Sequence, residues 1–306
     1  MTFDNVLVTG AAGLLGRYVT AALTDTGRVS GLDITEPQAG HGLAKFTKAG
    51  IEDAAAVRAA MEGQEAVVHV AARPNIWSGT GDQIIHTNVT GTWNVLQAAE
   101  DAGVKRVIVT SSDSVVGYTV FQGAMVPPEY MPVDAAHPTN PTDPYALSKK
   151  LTEEMARAFV ARGRLEVVVI RPVYVLYPEF ECEVIARAAD PENYKGPAAG
   201  GRQPAGGGPL WHYVDPRDLA NAYRLALAAD DPGFGPYFIS GPNTLAPEPT
   251  VERLAKRMNG RRVPVKRPDV YERNPHAPLY DLSAARDRLG YVPQHDLRRR
   301  LVESRR

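Results

Sequence analysis

The chain has 306 residues, 44% hydrophobic and 23% charged, and its 34 Lys and Arg against 35 Asp and Glu leave a formal net charge of −1. That balance excludes the basic footprint of a nucleic-acid binder, and the lone cysteine, Cys182, excludes an intrachain disulfide and a cysteine metal cluster. No apolar run approaches the roughly 18 residues of a membrane helix, and the first strand begins too early for a signal peptide, so a reducing cytoplasm, no membrane and no metal are expected.

Asp4 to Val8 reads as a short buried strand, and Thr9-Gly10-Ala-Ala-Gly13-Leu14-Leu15-Gly16 leads from it into an apolar-periodic helix from Arg17 to Leu23. A strand, a glycine turn and a helix in that order aim free N–H groups and the positive end of a helix dipole at an anion, and a pyrophosphate fits such a site. Gly10 suits the tight turn, Gly13 a close approach of backbone to phosphate, and Gly16 the packing of helix on strand. The glycines stand three apart, a departure from the G-x-G-x-x-G spacing. A second strand, Gly27 to Asp33, ends in a carboxylate at about the 20-residue offset where such an acid meets the ribose hydroxyls of NAD and repels the 2′-phosphate of NADP.

Phe46 to Ala49 is a third expected strand, Ala54 to Met61 a helix, and Glu65 to Ala72 a strand too continuously apolar to have a solvated face, as in a parallel sheet. A helix from the N-cap Asp82 to Ala102, stopped by Gly103, precedes a fifth strand, Lys105 to Ser111. Asn88 lies among apolar residues on that helix; as a buried amide it has either a water bridge toward Lys149 or a simple core hydrogen bond. Thr110 to Ser114 falls at the C-terminal end of the fifth strand, where ligands bind parallel sheets, and offers a hydroxyl to a substrate oxygen.

The next helix runs from Pro144 to Arg162 and is apolar on two sides: Tyr145, Lys149, Thr152, Ala156 and Phe159 share one stripe, Leu147, Leu151, Met155 and Ala158 another. Tyr145 and Lys149 are one turn apart, and an ammonium beside a phenol pulls the phenol's pKa from about 10 toward working pH, as a general acid/base requires. A sixth strand, Leu165 to Ile170, ends at Arg171-Pro172. Between Pro191 and Pro209, 10 of 19 residues are Gly or Pro, so a long irregular loop is expected. Helices near 216–229, 251–258 and 283–289, a strand at 237–240 and a basic tail (Arg298, Arg299, Arg300, Arg305 and Arg306), expected as a solvated helix end, complete the reading.

These stretches resemble the extended branch of the short-chain dehydrogenase/reductase superfamily, the NAD-dependent epimerase/dehydratase family. The resemblance rests on TGAAGLLG at 9–16, Asp33, HVAA at 69–72, NVTGTWNVLQAA at 88–99, VTSS at 109–112, PYALSK at 144–149, RP at 171–172 and LGYVP at 289–293. It implies an α/β fold with a doubly wound parallel sheet of Rossmann type in 1–172, and mainly a smaller C-terminal substrate-binding cap in 173–306, with about 211–241 returning to the sheet domain. It implies Ser112, Tyr145 and Lys149 as the catalytic set with Asn88 behind the lysine. NAD contacts are implied at Gly10, Gly13, Leu14, Leu15, Gly16, Asp33, Ile51, Ala71, Ala72, Tyr145, Lys149, Pro172 and Val175. Ile51 would lie near the adenine, and Pro172 and Val175 near the nicotinamide. A homodimer through the helices at 82–102 and 144–162 is implied as well.

The departures from the family pattern carry the substrate information. Gly50 stands where an aspartate usually holds the adenine amine, leaving backbone groups to do so, and Asp113-Ser114 replaces the Asp-Glu pair of 4,6-dehydratases. Tyr174, in Arg171-Pro-Val-Tyr-Val-Leu-Tyr-Pro178, and Trp211 stand where sugar-nucleotide enzymes place other contacts, the latter an arginine for the diphosphate. Asp113, Tyr174, Trp211 and the cations Arg73, Arg202 and Arg217 are therefore candidate substrate residues, suited to a free sugar or sugar acid. The run Ser-Ser-x-x-x-x-Gly-Tyr at 111–118 is similar to that of uronate dehydrogenases. The expected function is an NAD-dependent dehydrogenase of a small carbohydrate-like substrate; the alternatives are a sugar-nucleotide epimerase and a dinucleotide-sensing regulator without turnover.

Overall fold

A computed structural model describes residues 3–25, 27–118, 126–189, 211–258, 260 and 262–303. The Gly/Pro-rich loop expected at 191–209, with Arg202, lies outside the described residues. In chain order the strands are Asn5–Thr9 (β1), Arg28–Asp33 (β2), Lys45–Lys48 (β3), Ala66–His69 (β4), Arg106–Thr110 (β5), Glu166–Pro172 (β6) and Tyr237–Ile239 (β7). All pair in parallel, in the order β3-β2-β1-β4-β5-β6-β7. The helices are Leu14–Thr24 (α1), Ala54–Met61 (α2), Gly81–Ile85 (α3), Gly91–Ala102 (α4), Pro144–Ala161 (α5), Pro178–Ala189 (α6), Pro216–Ala228 (α7), Thr250–Arg257 (α8), Pro268–Arg273 (α9), Ser283–Leu289 (α10) and Leu297–Glu303 (α11).

The central strands are apolar throughout because helices cover both faces of the sheet, and alternate residues serve opposite sides. Val6, Val8, Val68, Ile108, Val168 and Ile170 join the core under α1 and α7. Leu7, Val67, Val107, Val109, Val167 and Val169 join the core under α2, α4 and α5. The result is a doubly wound Rossmann-type sheet. Among the described residues no helix is long and apolar enough to cross a membrane.

The helix expected over 82–102 is divided. Thr80, not Asp82, caps it in a reciprocal capping box with Gln83, α3 then passes through a π-helical turn at His86–Thr90, and α4 follows, ending at Gly103 with φ +73°. The Thr-x-x-Gln pattern for that cap was present in the sequence, and Asp82 only adds first-turn charge. β4 stops at His69, three residues early, because the chain turns there against the glycine turn. The helices α6 and α9 were not anticipated, whereas α11 falls where the basic tail was expected to be a helix end. The described part of the basic tail, which leaves out Arg305 and Arg306, is a helix end, solvated at Arg299 and Arg300 but tied down at two points: Arg298 donates to the carbonyls of Thr244 (2.9 Å) and Ala246 (2.7 Å), and Arg300 pairs with Glu181 on α6.

Candidate active site

The C-terminal ends of β1, β4, β5 and β6 lie side by side along one sheet edge, and strand order reverses between β1 and β4, where open α/β sheets form a ligand crevice. Gly10 follows β1 with φ +72°, and a Cβ there would lie 2.8 Å from the Ala71 nitrogen. A Cβ on Gly16 would collide with the Gly10 carbonyl oxygen, so α1 closes on its own entry turn as only glycine permits. Gly13 is the N-cap of α1 and brings no side-chain cap, which leaves the first-turn N–H groups of Leu14, Leu15 and Gly16 for an external acceptor.

Asp33 closes β2 with Oδ2 accepting the Ala12 N–H at 2.9 Å and Oδ1 accepting the Thr35 N–H at 2.9 Å. Each carboxylate oxygen retains a lone pair for a hydroxyl donor. A cradle that a Cβ would fill, an uncapped helix start and this anchored carboxylate fit the diphosphate and ribose of a dinucleotide. Ala71 donates to the Thr9 carbonyl at 3.1 Å, Ala72 follows it partly exposed, Pro172 is buried at the end of β6, and Val175 bridges to Val214. Ile51 is only 3% exposed and packs onto Gly91, while its carbonyl accepts from Asn94 at 3.0 Å, so its side chain belongs to the core. The Glu52 carboxylate stands over Gly50, with Oε2 2.7 Å from where a Cβ would be and Oε1 accepting the Thr87 hydroxyl at 2.6 Å. The Glu52 carboxylate is therefore an acceptor beside Gly50 in addition to the backbone groups expected there from the sequence.

α5 begins on Asp143, whose Oδ1 accepts the Ala146 N–H at 2.8 Å. One turn further on, the buried Lys149 donates from Nζ to the Thr110 carbonyl at 2.8 Å and lies 5.8 Å from the centroid of the Tyr145 ring. The Ser112 hydroxyl accepts the Ser114 N–H at 3.1 Å, lies 3.3 Å from Asp113 Oδ1, and hydrogen-bonds Tyr145. The end of β5 and one face of α5 thus bring Ser112, Asp113, Tyr145 and Lys149 into one cluster.

Desolvation at its hydroxyl raises the Tyr145 pKa above the ordinary phenol value; the Ser112 hydrogen bond opposes the rise, while the charges of Asp113 and Asp143 add to it. This reverses the lowering expected from the sequence, because desolvation of the hydroxyl outweighs what lowers it. Burial pulls Lys149 itself down to about 8, against the charge of Glu153. Burial pushes the Asp113 carboxyl up to about 7, against hydrogen bonds from Tyr280 and Ser112 and from backbone N–H groups.

Asn88, in the π-helical turn, takes the second of its two expected settings. Its Oδ1 accepts the Arg73 N–H at 2.8 Å, and its Nδ2 donates to the Arg73 carbonyl (3.1 Å) and to Ser148 Oγ (2.9 Å). Ser148 in turn donates to the Tyr145 carbonyl at 2.7 Å, so Asn88 braces the turn after β4 against α5. The candidate substrate cations are engaged elsewhere. Arg73 donates from Nε to Thr87 at 3.2 Å and from Nη1 to the Ser78 carbonyl, and Arg217 forms a two-bond clamp on Asp215 at 2.9 and 2.7 Å. Trp211 is buried with Leu176, Val184, Tyr213 and Leu245 rather than set against Ser112, and Tyr174 packs partly buried on the same cluster, its hydroxyl pushed up to about 12 by burial and by Glu183.

Sequence reasoning missed three supporting residues. His69 joins Thr9 (2.7 Å) to Thr92 (2.9 Å) and is held neutral, burial taking it down to about 3 with help from Lys149. Its place in an apolar strand was the available signal. Thr110 contributes a carbonyl, which no side-chain pattern reveals. Tyr280 reaches Asp113 Oδ2 at 3.0 Å from 167 residues away, with no local signal at all.

The NAD dependent epimerase/dehydratase family matches residues 6–239 of the chain. Uronate dehydrogenase of Pseudomonas putida is 31% identical over 172 residues, which cover 55% of this chain and 60% of that protein. UDP-glucose 4-epimerase of Azospirillum brasilense is 27% identical over 323 residues, 95% of this chain and 88% of the epimerase. A short-chain dehydrogenase/reductase superfamily protein from Agrobacterium tumefaciens, solved with bound NAD, shares the fold with a TM-score of 0.71 at 24% identity, covering 98% of this chain and 96% of that one.

Proposed function

The chain belongs to the NAD dependent epimerase/dehydratase family, and on that premise we propose that it is an NAD-dependent dehydrogenase acting on a secondary alcohol or hemiacetal of a small carbohydrate-like molecule. The observation that carries this reading is the convergence of Ser112, Tyr145 and Lys149 at the sheet edge beside the glycine turn. Tyr145 takes the hydroxyl proton, Ser112 hydrogen-bonds the same oxygen, and Lys149, which spends one of its three donors on Thr110, has two left for ribose hydroxyls. Bound NAD supplies the hydride acceptor. The first-turn N–H groups at Leu14, Leu15 and Gly16 hold its diphosphate and Asp33 its adenosine ribose. Residues 1–172 serve as the dinucleotide domain and 173–306 mainly as the substrate cap, with α7 and β7 lent back to the sheet domain.

A panel of free sugars, uronates and polyols with NAD, read at the NADH absorbance band, tests the proposal: net NADH supports it. The near full-length likeness to a UDP-glucose 4-epimerase favours a second reading, a sugar-nucleotide epimerase. Against that reading, Arg217 spends two of its donors on Asp215, and Trp211, packed in a core, stands where those enzymes place an arginine for the diphosphate. Interconversion of UDP-sugars without net NADH, or micromolar binding of UDP, GDP or dTDP, would decide for the epimerase.

NAD should bind more tightly than NADP. Asp33 sits where the 2′-phosphate would come, and Ile34 and Thr35 bring no cation to offset the like charge. A preference of at least about tenfold is expected, the effect of ~1.4 kcal/mol of repulsion. Calorimetry that finds NADP equal or tighter would contradict it.

The protein is also expected to be a homodimer. Leu147 and Leu151 on α5 are 43% and 38% exposed and Trp93 on α4 is 41% exposed, an apolar surface that an isologous four-helix contact would cover. Light scattering should give a dimer mass for the wild type and a monomer mass for Leu151→Glu. A wild-type monomer at micromolar protein would remove the proposal.

A further inference from the structure

This inference rests on the reading of the glycine turn and Asp33 as a seat for NAD, and it names the side chain that recognises the base. After β3 the chain makes a tight turn from Gly50 to Asp53, closed by the Asp53 N–H donating to the Gly50 carbonyl at 3.1 Å. The turn is tied down along its length. The Ala49 N–H donates to the Asp33 carbonyl at 2.9 Å, Asn94 Nδ2 donates to the carbonyls of Ile51 (3.0 Å) and Glu52 (3.1 Å), and the Asp53 carboxylate caps α2. Within it Glu52 folds back over Gly50, so that its carboxylate takes up the space a side chain on residue 50 would fill. The two oxygens are used differently. Oε1 accepts the Thr87 hydroxyl at 2.6 Å, and Thr87 in turn accepts Arg73 Nε at 3.2 Å. Among the described residues no donor meets Oε2, and Glu52 is only partly buried. Ile34, directly after Asp33, is 71% exposed, and its Cγ2 lies 3.5 Å from the Cβ position of Gly50, where Oε2 lies 2.7 Å away.

An exposed apolar side chain and an open carboxylate oxygen thus meet over one bare glycine, next to the carboxylate that anchors the ribose. That pairing suits a purine, which has a flat apolar face and a polar edge. We propose that Glu52, through Oε2, accepts the exocyclic amine of the adenine of NAD, doing from position 52 what no side chain can do from position 50. The turn therefore selects a 6-amino purine. A 6-oxo purine brings an oxygen where the amine would bring a proton, and two acceptors that face each other are both left unpaired. Glu52 is in this sense a specificity-determining residue for the cofactor, and its role is the same whether the enzyme releases NADH or returns the hydride.

Calorimetry of NAD and of its 6-oxo analogue, nicotinamide hypoxanthine dinucleotide, on the full chain tests this without any turnover. The wild type should bind NAD about tenfold more tightly than the analogue, or better, the effect of one hydrogen bond to a charged group. Glu52→Gln keeps the length of the side chain and an acceptor for Thr87 but can turn an amide N–H toward the base, so it should shrink that ratio by a similar factor. Glu52→Ala removes the acceptor outright and should bring NAD down to about the affinity of the analogue. Equal affinity of the wild type for the two dinucleotides overturns the inference and leaves the NAD reading standing. A ratio unchanged in the variants overturns the assignment to Glu52. Binding of neither dinucleotide by the wild type overturns the NAD reading and the inference with it. If one variant does not fold, the other decides.

Discussion

Replacing Tyr145 by Phe should lower turnover by at least the ~10²-fold typical of losing a general acid/base, while NAD affinity stays nearly unchanged. Phe keeps the ring beside Lys149, whose Nζ lies 5.8 Å from its centroid, and the helix start on Asp143; it removes only the hydroxyl that Ser112 hydrogen-bonds. Because burial, Asp113 and Asp143 keep the Tyr145 pKa above the ordinary phenol value, the group is a phenol at neutral pH. Its proton-accepting form therefore grows as pH rises, so oxidation by the wild type should climb through the alkaline range and the climb should flatten in the variant. Steady-state kinetics against pH, with calorimetry of NAD binding, separates chemistry from binding. Turnover near the wild-type level in Tyr145→Phe would show that another group handles the proton.

Arg171→Leu should destabilise the fold by about 3–5 kcal/mol, the cost of leaving one partner of a buried ion pair behind. Arg171 on β6 meets Glu153 on α5 through two bonds of 2.7 Å, with side chains 2% and 1% exposed, and Ser111 at the end of β5 donates to the same carboxylate at 2.6 Å. The pair ties α5 to the strands whose ends carry Ser112 and Pro172. Removing the guanidinium leaves a desolvated carboxylate near Lys149, which already feels Glu153. Joining Arg171→Leu to Glu153→Leu should restore most of the loss, since two apolar side chains leave no unpaired charge. Urea unfolding of the two variants measures both statements. A single variant as stable as the wild type would mean that the pair does not hold this junction.

What the sequence made legible was what short stretches dictate locally. The glycine turn, Asp33 after β2 and the Tyr145–Lys149 turn are read from spacing within one or two elements, and the structure has Asp33 bonded to Ala12 in the same turn. Apolar runs without alternation marked the buried strands, because a sheet covered on both faces has no solvated side. Cap patterns were legible too, although Thr80 with Gln83 was passed over for Asp82. The helix α5 matches its expected start at Pro144 because Asp143 and Pro144 form a local signal for one.

The pKa shifts at the site, and the partners of the candidate substrate residues, come from contacts between distant parts of the chain. Lys149 was expected to act on the phenol, yet its ammonium turns to a carbonyl 39 residues away, and the Tyr145 pKa rises instead of falling. Arg73, Arg217 and Trp211 read as candidate substrate residues, and only the fold supplies their partners: Thr87 for Arg73, Asp215 for Arg217 and the cluster around Tyr213 for Trp211. Asp113 looked like a remnant of another enzyme's pair, and only Tyr280, brought back by the C-terminal chain, makes it a buried carboxyl with a raised pKa. Local sequence determines backbone conformation and which residue types stand at a sheet edge, because those depend on near neighbours. Desolvation and hydrogen-bond partnership sum over everything packed around a group, so they exist only once the tertiary fold has formed.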